Sequence, residues 1–110
     1  MSADQLTVLF AGRVMGWRVA PGRFLLGKRR WIPRWRFQPT GNLEDAFRLL
    51  EKAAPQEYSM RGDNKGNFRV QVRIGDGTGE ADGASKPHAI SCAIARALGI
   101  QVEGAENDAV

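Results

Sequence analysis

The densest chemistry lies in Lys28-Arg29-Arg30-Trp31-Ile32-Pro33-Arg34-Trp35-Arg36, where five cations are interleaved with two indoles. Cations of this kind neutralise phosphates. Indole faces stack on unpaired bases or on neighbouring guanidinium groups. Arg23 extends the set towards the N-terminus. The plainer reading is a twisted, exposed β-ribbon whose Arg stems cover the Trp faces while the charges are simply solvated. A second set is Arg69, Gln71 and Arg73, which share one face of a strand at i, i+2 and i+4. Uncovered, they would offer donors to an anionic groove or an acidic protein surface. Under a helix, their heads would pair with Glu44, Asp45 or Glu51.

Catalytic and metal chemistry is weakly marked. His88 and Cys92 stand four residues apart on a helical stretch and so share a face. A thiolate nucleophile would also need an orienting group and an oxyanion site, and the sequence marks neither. The expectation for Cys92 is a small buried hydrophobe. Asp76-Gly77-Thr78-Gly79-Glu80-Ala81-Asp82 has the flavour of a calcium loop, but the twelfth position from Asp76 is Pro87, not a bidentate glutamate. Arg61-Gly62-Asp63 reads as a turn. The glycines at 75, 77 and 79 are not followed by the Lys-Ser/Thr of a phosphate loop. No catalytic, cofactor-binding or metal-binding residues are assigned, no cofactor is expected, and an enzyme is the distant alternative.

These side chains must be positioned by a chain of 110 residues, 43% hydrophobic and 25% charged. That is one domain's worth, expected over residues 1–102 with a frayed tail over 103–110, and it can bury about two-thirds of its unfolded surface. One Cys excludes an internal disulfide, and one Cys with one His excludes the usual structural zinc site. No apolar run approaches the roughly 18 residues of a membrane span. With no signal-peptide pattern, a reducing, cytoplasmic setting is expected. The net charge of +4 is uneven. Residues 1–43 carry eight bases against one acid, whereas residues 44–110 carry eight bases against eleven acids. Such asymmetry points to a polyanionic or acidic partner.

Three helices and several strands are legible. Ser2-Ala3-Asp4-Gln5 fits a capping box, and Leu6, Leu9, Phe10 and Val14 give a helix over about Ala3–Met15 that stops at Gly16. Trp17–Ala20 and Phe24–Leu26 read as a hairpin around Pro21-Gly22. Trp31–Phe37 reads as a strand that Pro33 confines to an edge or bulge. Asn42 caps a helix over Leu43–Ala54 with a stripe of Leu43, Ala46, Phe47, Leu50 and Ala53 or Ala54, ended by Pro55. Tyr58–Arg61 and Phe68–Ile74 are strands, the second alternating apolar and polar residues. Gly75–Gly79 reads as a flexible link, followed by one short, weak strand over Glu80–Gly83. Ser85 caps an Ala-rich helix closed by Gly99, with Pro87 in its first turn. This order predicts an α+β fold with a small antiparallel sheet and helices packed on both faces, an α/β/α sandwich.

Three motifs, in order, resemble the phage ABA sandwich domain: Val14-Met15-Gly16-Trp17; Phe37-Gln38-Pro39-Thr40-Gly41-Asn42-Leu43-Glu44-Asp45-Ala46; and Gly83-Ala84-Ser85-Lys86-Pro87-His88-Ala89-Ile90 with Ala93 and Ala97. Together they span roughly residues 6–99. The resemblance implies a small phage or prophage protein and the sandwich architecture, but no reaction. It implies structural roles for Gly16, Trp17, Pro39 and Pro87. The stretch from Arg23 to Arg36 is far more basic than the family pattern. The expected function is therefore non-enzymatic docking through Arg23, Lys28, Arg29, Arg30, Trp31, Arg34, Trp35 and Arg36, with Arg69 and Arg73 as further candidates. The partner is a nucleic acid or an acidic host protein, such as the target of an inhibitor of host defence. No membrane contact is expected.

Overall fold

The computed structural model describes residues 2–101; the tail expected over 103–110 lies outside them. Elements run α1 (Ala3–Arg13), β1 (Arg18–Ala20), β2 (Arg23–Leu25), β3 (Trp31–Pro33), a 3-10 turn (Arg34–Arg36), α2 (Leu43–Ala53), β4 (Glu57–Gly62), β5 (Phe68–Ile74), β6 (Gly77–Gly83) and α3 (Lys86–Ala97). There are two antiparallel sheets, not one, ordered β1-β2-β3 and β4-β5-β6. The fold is α+β.

The helices begin where their caps dictate. At α1 the capping box closes in both directions, Gln5 N–H donating to Ser2 Oγ at 3.2 Å and Ser2 N–H to Gln5 Oε1 at 2.9 Å. The helix ends at Arg13, two residues short of Met15, and Gly16 reverses the chain at φ +73°. Asn42 Oδ1 accepts the Asp45 N–H at 3.0 Å to start α2. Its stripe differs from the expected one. Asp45, Ala46, Leu49 and Leu50 are buried, while Leu43 and Phe47 are 39% and 40% exposed. On the buried side Ala46, Leu49 and Leu50 join the core against α3, and the Asp45 carboxylate accepts the Gln38 N–H at 2.9 Å. At the other end, Ala54 at φ +51° turns the chain before Pro55.

The largest correction is β6. The strand expected over Glu80–Gly83 is present but starts three residues earlier, inside the glycine-rich link, and its seven residues pair with β5 from Ile74↔Gly77 to Phe68↔Gly83, leaving only Gly75 and Asp76 as the turn. Its glycines let α3 lie directly on the strand. A methyl at Gly79 would sit 2.5 Å from the Ala97 backbone nitrogen and closer still to the Ala93 carbonyl oxygen, and one at Gly77 would overlap the Ala97 carbonyl. Backbone approach of this kind is a use of strand glycine that composition alone does not separate from flexibility. A second correction concerns Trp31–Phe37. Only Trp31–Pro33 is strand, because beyond Pro33 the chain winds into the 3-10 turn.

One core joins the elements. It includes Leu6 and Phe10 of α1, Phe24 of β2, Phe37, Leu49, Val70 and Val72 of β5, and Ile90 and Ile94 of α3. Trp17, Phe24 and Phe37 pack ring to ring at centroid distances of 5.0–6.2 Å. Ala89 to Ala95 of α3 are all buried, and Ser91 Oγ donates to the Pro39 carbonyl at 2.7 Å. The opposite face of β4–β6 is polar: Glu57, Ser59, Arg61, Arg69, Gln71, Arg73, Thr78 and Asp82 are exposed. Among the described residues, that face carries no second helix layer.

Candidate functional site

Hairpin geometry builds the basic surface. In β2 the alternation sends Phe24 into the core and Arg23 outward, and the Arg23↔Pro33 and Leu25↔Trp31 register puts Trp31 on Arg23's side. The Arg23 guanidinium lies 5.4 Å from the Trp31 ring centroid, and that of Arg36 lies 5.9 Å from Trp35. Lys28, Arg29 and Arg30 form the exposed tip of the β2–β3 hairpin, closed by Leu26 N–H donating to the Arg30 carbonyl at 2.8 Å. Arg34 is anchored: its N–H reaches the Gly22 carbonyl at 3.1 Å, its Nη2 the Ala20 carbonyl at 3.2 Å, and its guanidinium lies 5.8 Å from the Phe24 ring. Trp31 is 54% and Trp35 69% exposed.

No acid among the described residues is ion-paired with the charges of this ribbon. Among the described residues the ion pairs are Arg48–Asp45, Arg69–Glu80 and Arg73–Glu57, and none involves a residue between Arg18 and Arg36. Large, outward indoles beside unpaired guanidinium groups are what a stacking and phosphate-neutralising surface requires.

Arg69 and Arg73 are placed elsewhere, on the polar face of the second sheet, and acids accompany them. Arg69 pairs with Glu80 across β5–β6, and Arg73 Nε lies 3.4 Å from Glu57 Oε1 across β4–β5. Hydrogen bonds from Arg69 and then Gln71 hold the Glu80 carboxyl below its ordinary pKa, and the same contact raises Arg69. With Glu57, Glu80 and Asp82 against Arg61, Arg69 and Arg73, the face is balanced, not a cationic row. The pairing acids come from the neighbouring strands, not from Glu44, Asp45 or Glu51.

The structure adds a groove that the sequence did not announce. It occupies about 340 Å³ between α1 and the 3-10 turn, lined by Thr7, Val8, Phe24, Arg34, Trp35 and Phe37 among others. Tertiary packing brings α1 there, and no motif encodes it.

His88 and Cys92 do share a face of α3, with Sγ 3.7 and 3.9 Å from the two ring nitrogens, but Cys92 is buried. Among the described residues no cluster of three or more His, Cys, Asp and Glu is arranged to hold a metal ion. Among the described residues no helix is long and apolar enough to cross a membrane.

Comparison with known proteins gives a likeness of fold. No family model matches the chain, and no curated protein does. Among solved structures the chain is similar to a phage protein from Bacillus cereus ATCC 14579, with a TM-score of 0.71 and 19% identity over 93% of this chain and 92% of that one. At this identity the likeness is one of fold. The resemblance to the phage ABA sandwich domain rests on the three sequence motifs.

Proposed function

We propose that this chain is a non-enzymatic phage or prophage accessory protein that binds nucleic acid in the host cytoplasm through the surface from Arg23 to Arg36. The observation that carries the reading is the exposure of Arg23, Lys28, Arg29, Arg30, Arg34 and Arg36 with no ion pair to another described residue, beside two half- to two-thirds-exposed indoles. The phage setting draws on the sequence motifs and on the fold shared with the Bacillus cereus phage protein. Phosphates would be neutralised by the hairpin tip, and unpaired bases would stack on Trp31 and Trp35. The chemistry asked of the chain is binding alone, and it calls for no cofactor.

A second reading, an acidic host protein as partner, is favoured by the groove beside Trp35, whose apolar lining suits an inserted side chain. Both readings are tested by a gel shift and a pull-down with wild type and with Lys28, Arg29, Arg30, Arg34 and Arg36 all changed to Ser. Nucleic-acid binding predicts a shift that the folded variant loses. A protein complex that resists salt and is released by Trp35→Ala would favour the second reading. A shift or complex that the five-site variant retains would remove the ribbon from the account.

A further inference from the structure

We infer that two copies of this chain associate through β4, pairing antiparallel to extend the β4–β6 sheets into one six-stranded sheet; this is independent of the basic ribbon. β4 and β6 are the two edges of their sheet; at β6 the Glu80 carbonyl accepts from the Arg96 guanidinium, which leaves β4 as the edge considered. The Asp63 N–H donates to the Asn67 carbonyl at 3.0 Å in continuation of the Gly62↔Phe68 register. Backbone groups alternate along an antiparallel ladder, so Glu57, Ser59 and Arg61 turn theirs towards β5. Tyr58, Met60 and Gly62 turn theirs outward, unsatisfied by the sheet. The β3 edge of the other sheet carries Pro33, which blocks pairing; β4 has no proline within it.

Charge selects the occupant and the register. A two-fold axis through Ser59 sets Tyr58 against the second copy's Met60, so the outward backbone groups of both bond to each other. It also sets Glu57 opposite the second copy's Arg61, twice by symmetry, on the polar face. Within one chain Arg61 stands opposite Arg69, a like charge, and Arg69 is engaged by Glu80. The second copy's Glu57, whose Oε1 lies 3.4 Å from Arg73 Nε in its own chain, would share its carboxylate with Arg61, which faces no acid directly across its own ladder. A slip of two residues one way brings Glu57 against Asp63; a slip the other way leaves Arg61 opposite Pro55. On the other face, the 55%-exposed Tyr58 ring meets Met60. The strand is six residues long, so the contact is small and the association is concentration-dependent.

Sedimentation of the full chain up to about 1 mM, where even a millimolar dimer is half formed, is the direct test. Dimerisation is expected there. Ser59→Cys should cross-link spontaneously in air, because a directly opposed non-hydrogen-bonded pair has Cα atoms about 4.5 Å apart, within disulfide reach. The native Cys92 is buried and serves as the silent background. Arg61→Glu and Glu57→Arg should each weaken self-association about tenfold or more, while an equimolar mixture of the two should restore it as a heterodimer. Tyr58→Pro, which removes an outward N–H and none from the β4–β5 ladder, should leave a folded monomer. A wild-type monomer throughout the range would overturn the proposal. So would a dimer that forms no Ser59→Cys cross-link, or one indifferent to both charge reversals.

Discussion

Replacing Gly79 by alanine tests the packing that defines the second half of the fold. The added methyl would lie 2.5 Å from the Ala97 nitrogen and deeper still in the Ala93 carbonyl, both backbone atoms of α3 that cannot rotate away. Real contacts of this kind stop near 3.0 Å, so α3 must withdraw from β6 by more than half an ångström. Withdrawal loosens α3 against Val70, Val72 and Ala81, all buried beneath it. Overpacking a core costs about 1–3 kcal/mol, and rigid backbone on the far side puts this case at or above the upper end. We predict a loss of about 3 kcal/mol or more and a fall in Tm of roughly 10 °C or more at this chain length. Gly12→Ala is the control: nothing lies within 4 Å of a methyl there, and it sits in α1, so a gain of about 0.5–1 kcal/mol is expected. Urea denaturation followed by circular dichroism reads both. A Gly79→Ala protein within about 1 kcal/mol of wild type would refute the close-packed α3–β6 contact.

Three further outcomes follow from named contacts. Ser91→Ala leaves the buried Pro39 carbonyl without its hydroxyl donor and should cost about 1–3 kcal/mol by chemical denaturation, whereas an unchanged midpoint would mean the bond is absent. Phe37→Ala, at the centre of the ring cluster, should cost about 3–5 kcal/mol, while Trp35→Ala, which is mostly exposed, should change stability by less than about 0.5 kcal/mol; similar losses for the two would invert the inside-outside assignment. Asp63 accepts from the Asn67 side chain, the Asn67 N–H and the Lys65 N–H, which hold its pKa below the ordinary aspartate value. The sign follows: this contribution to the β4–β5 turn is present above the unfolded pKa and is lost as pH falls through the lower folded one. An NMR titration should show Asp63 titrating low and Asn67→Ala raising it; an ordinary value in both proteins would contradict the turn geometry.

Elements with strong local signals were legible in the residues themselves. The α1 capping box, the Asn42 and Ser85 caps and the seven-residue alternation of β5 all appear where their patterns place them. What local pattern could not reveal depended on neighbours. The first half of β6, Gly77–Gly79, reads as a loop because its glycines answer to the backbone of α3, more than ten residues away. The α2 stripe is set by what it packs against: Leu49 is buried in the core, while Asp45 on the same side is satisfied by the Gln38 N–H. The outward basic ribbon was visible as composition, but Arg69 and Arg73 were separable from it only once the strand register placed Glu80 and Glu57 beside them. The groove between α1 and Trp35 has no sequence signature, since its walls lie far apart in the chain.

Nucleic-acid binding by the Arg23–Arg36 surface can be read from tryptophan fluorescence while a short single-stranded oligonucleotide is titrated at several salt concentrations. Saturable quenching is expected, with a logarithmic affinity that falls with log salt at about −0.7 per phosphate neutralised, a slope that flattens when Lys28, Arg29, Arg30, Arg34 and Arg36 are serine. Absence of quenching at low salt, or a slope unchanged by the five substitutions, would contradict it.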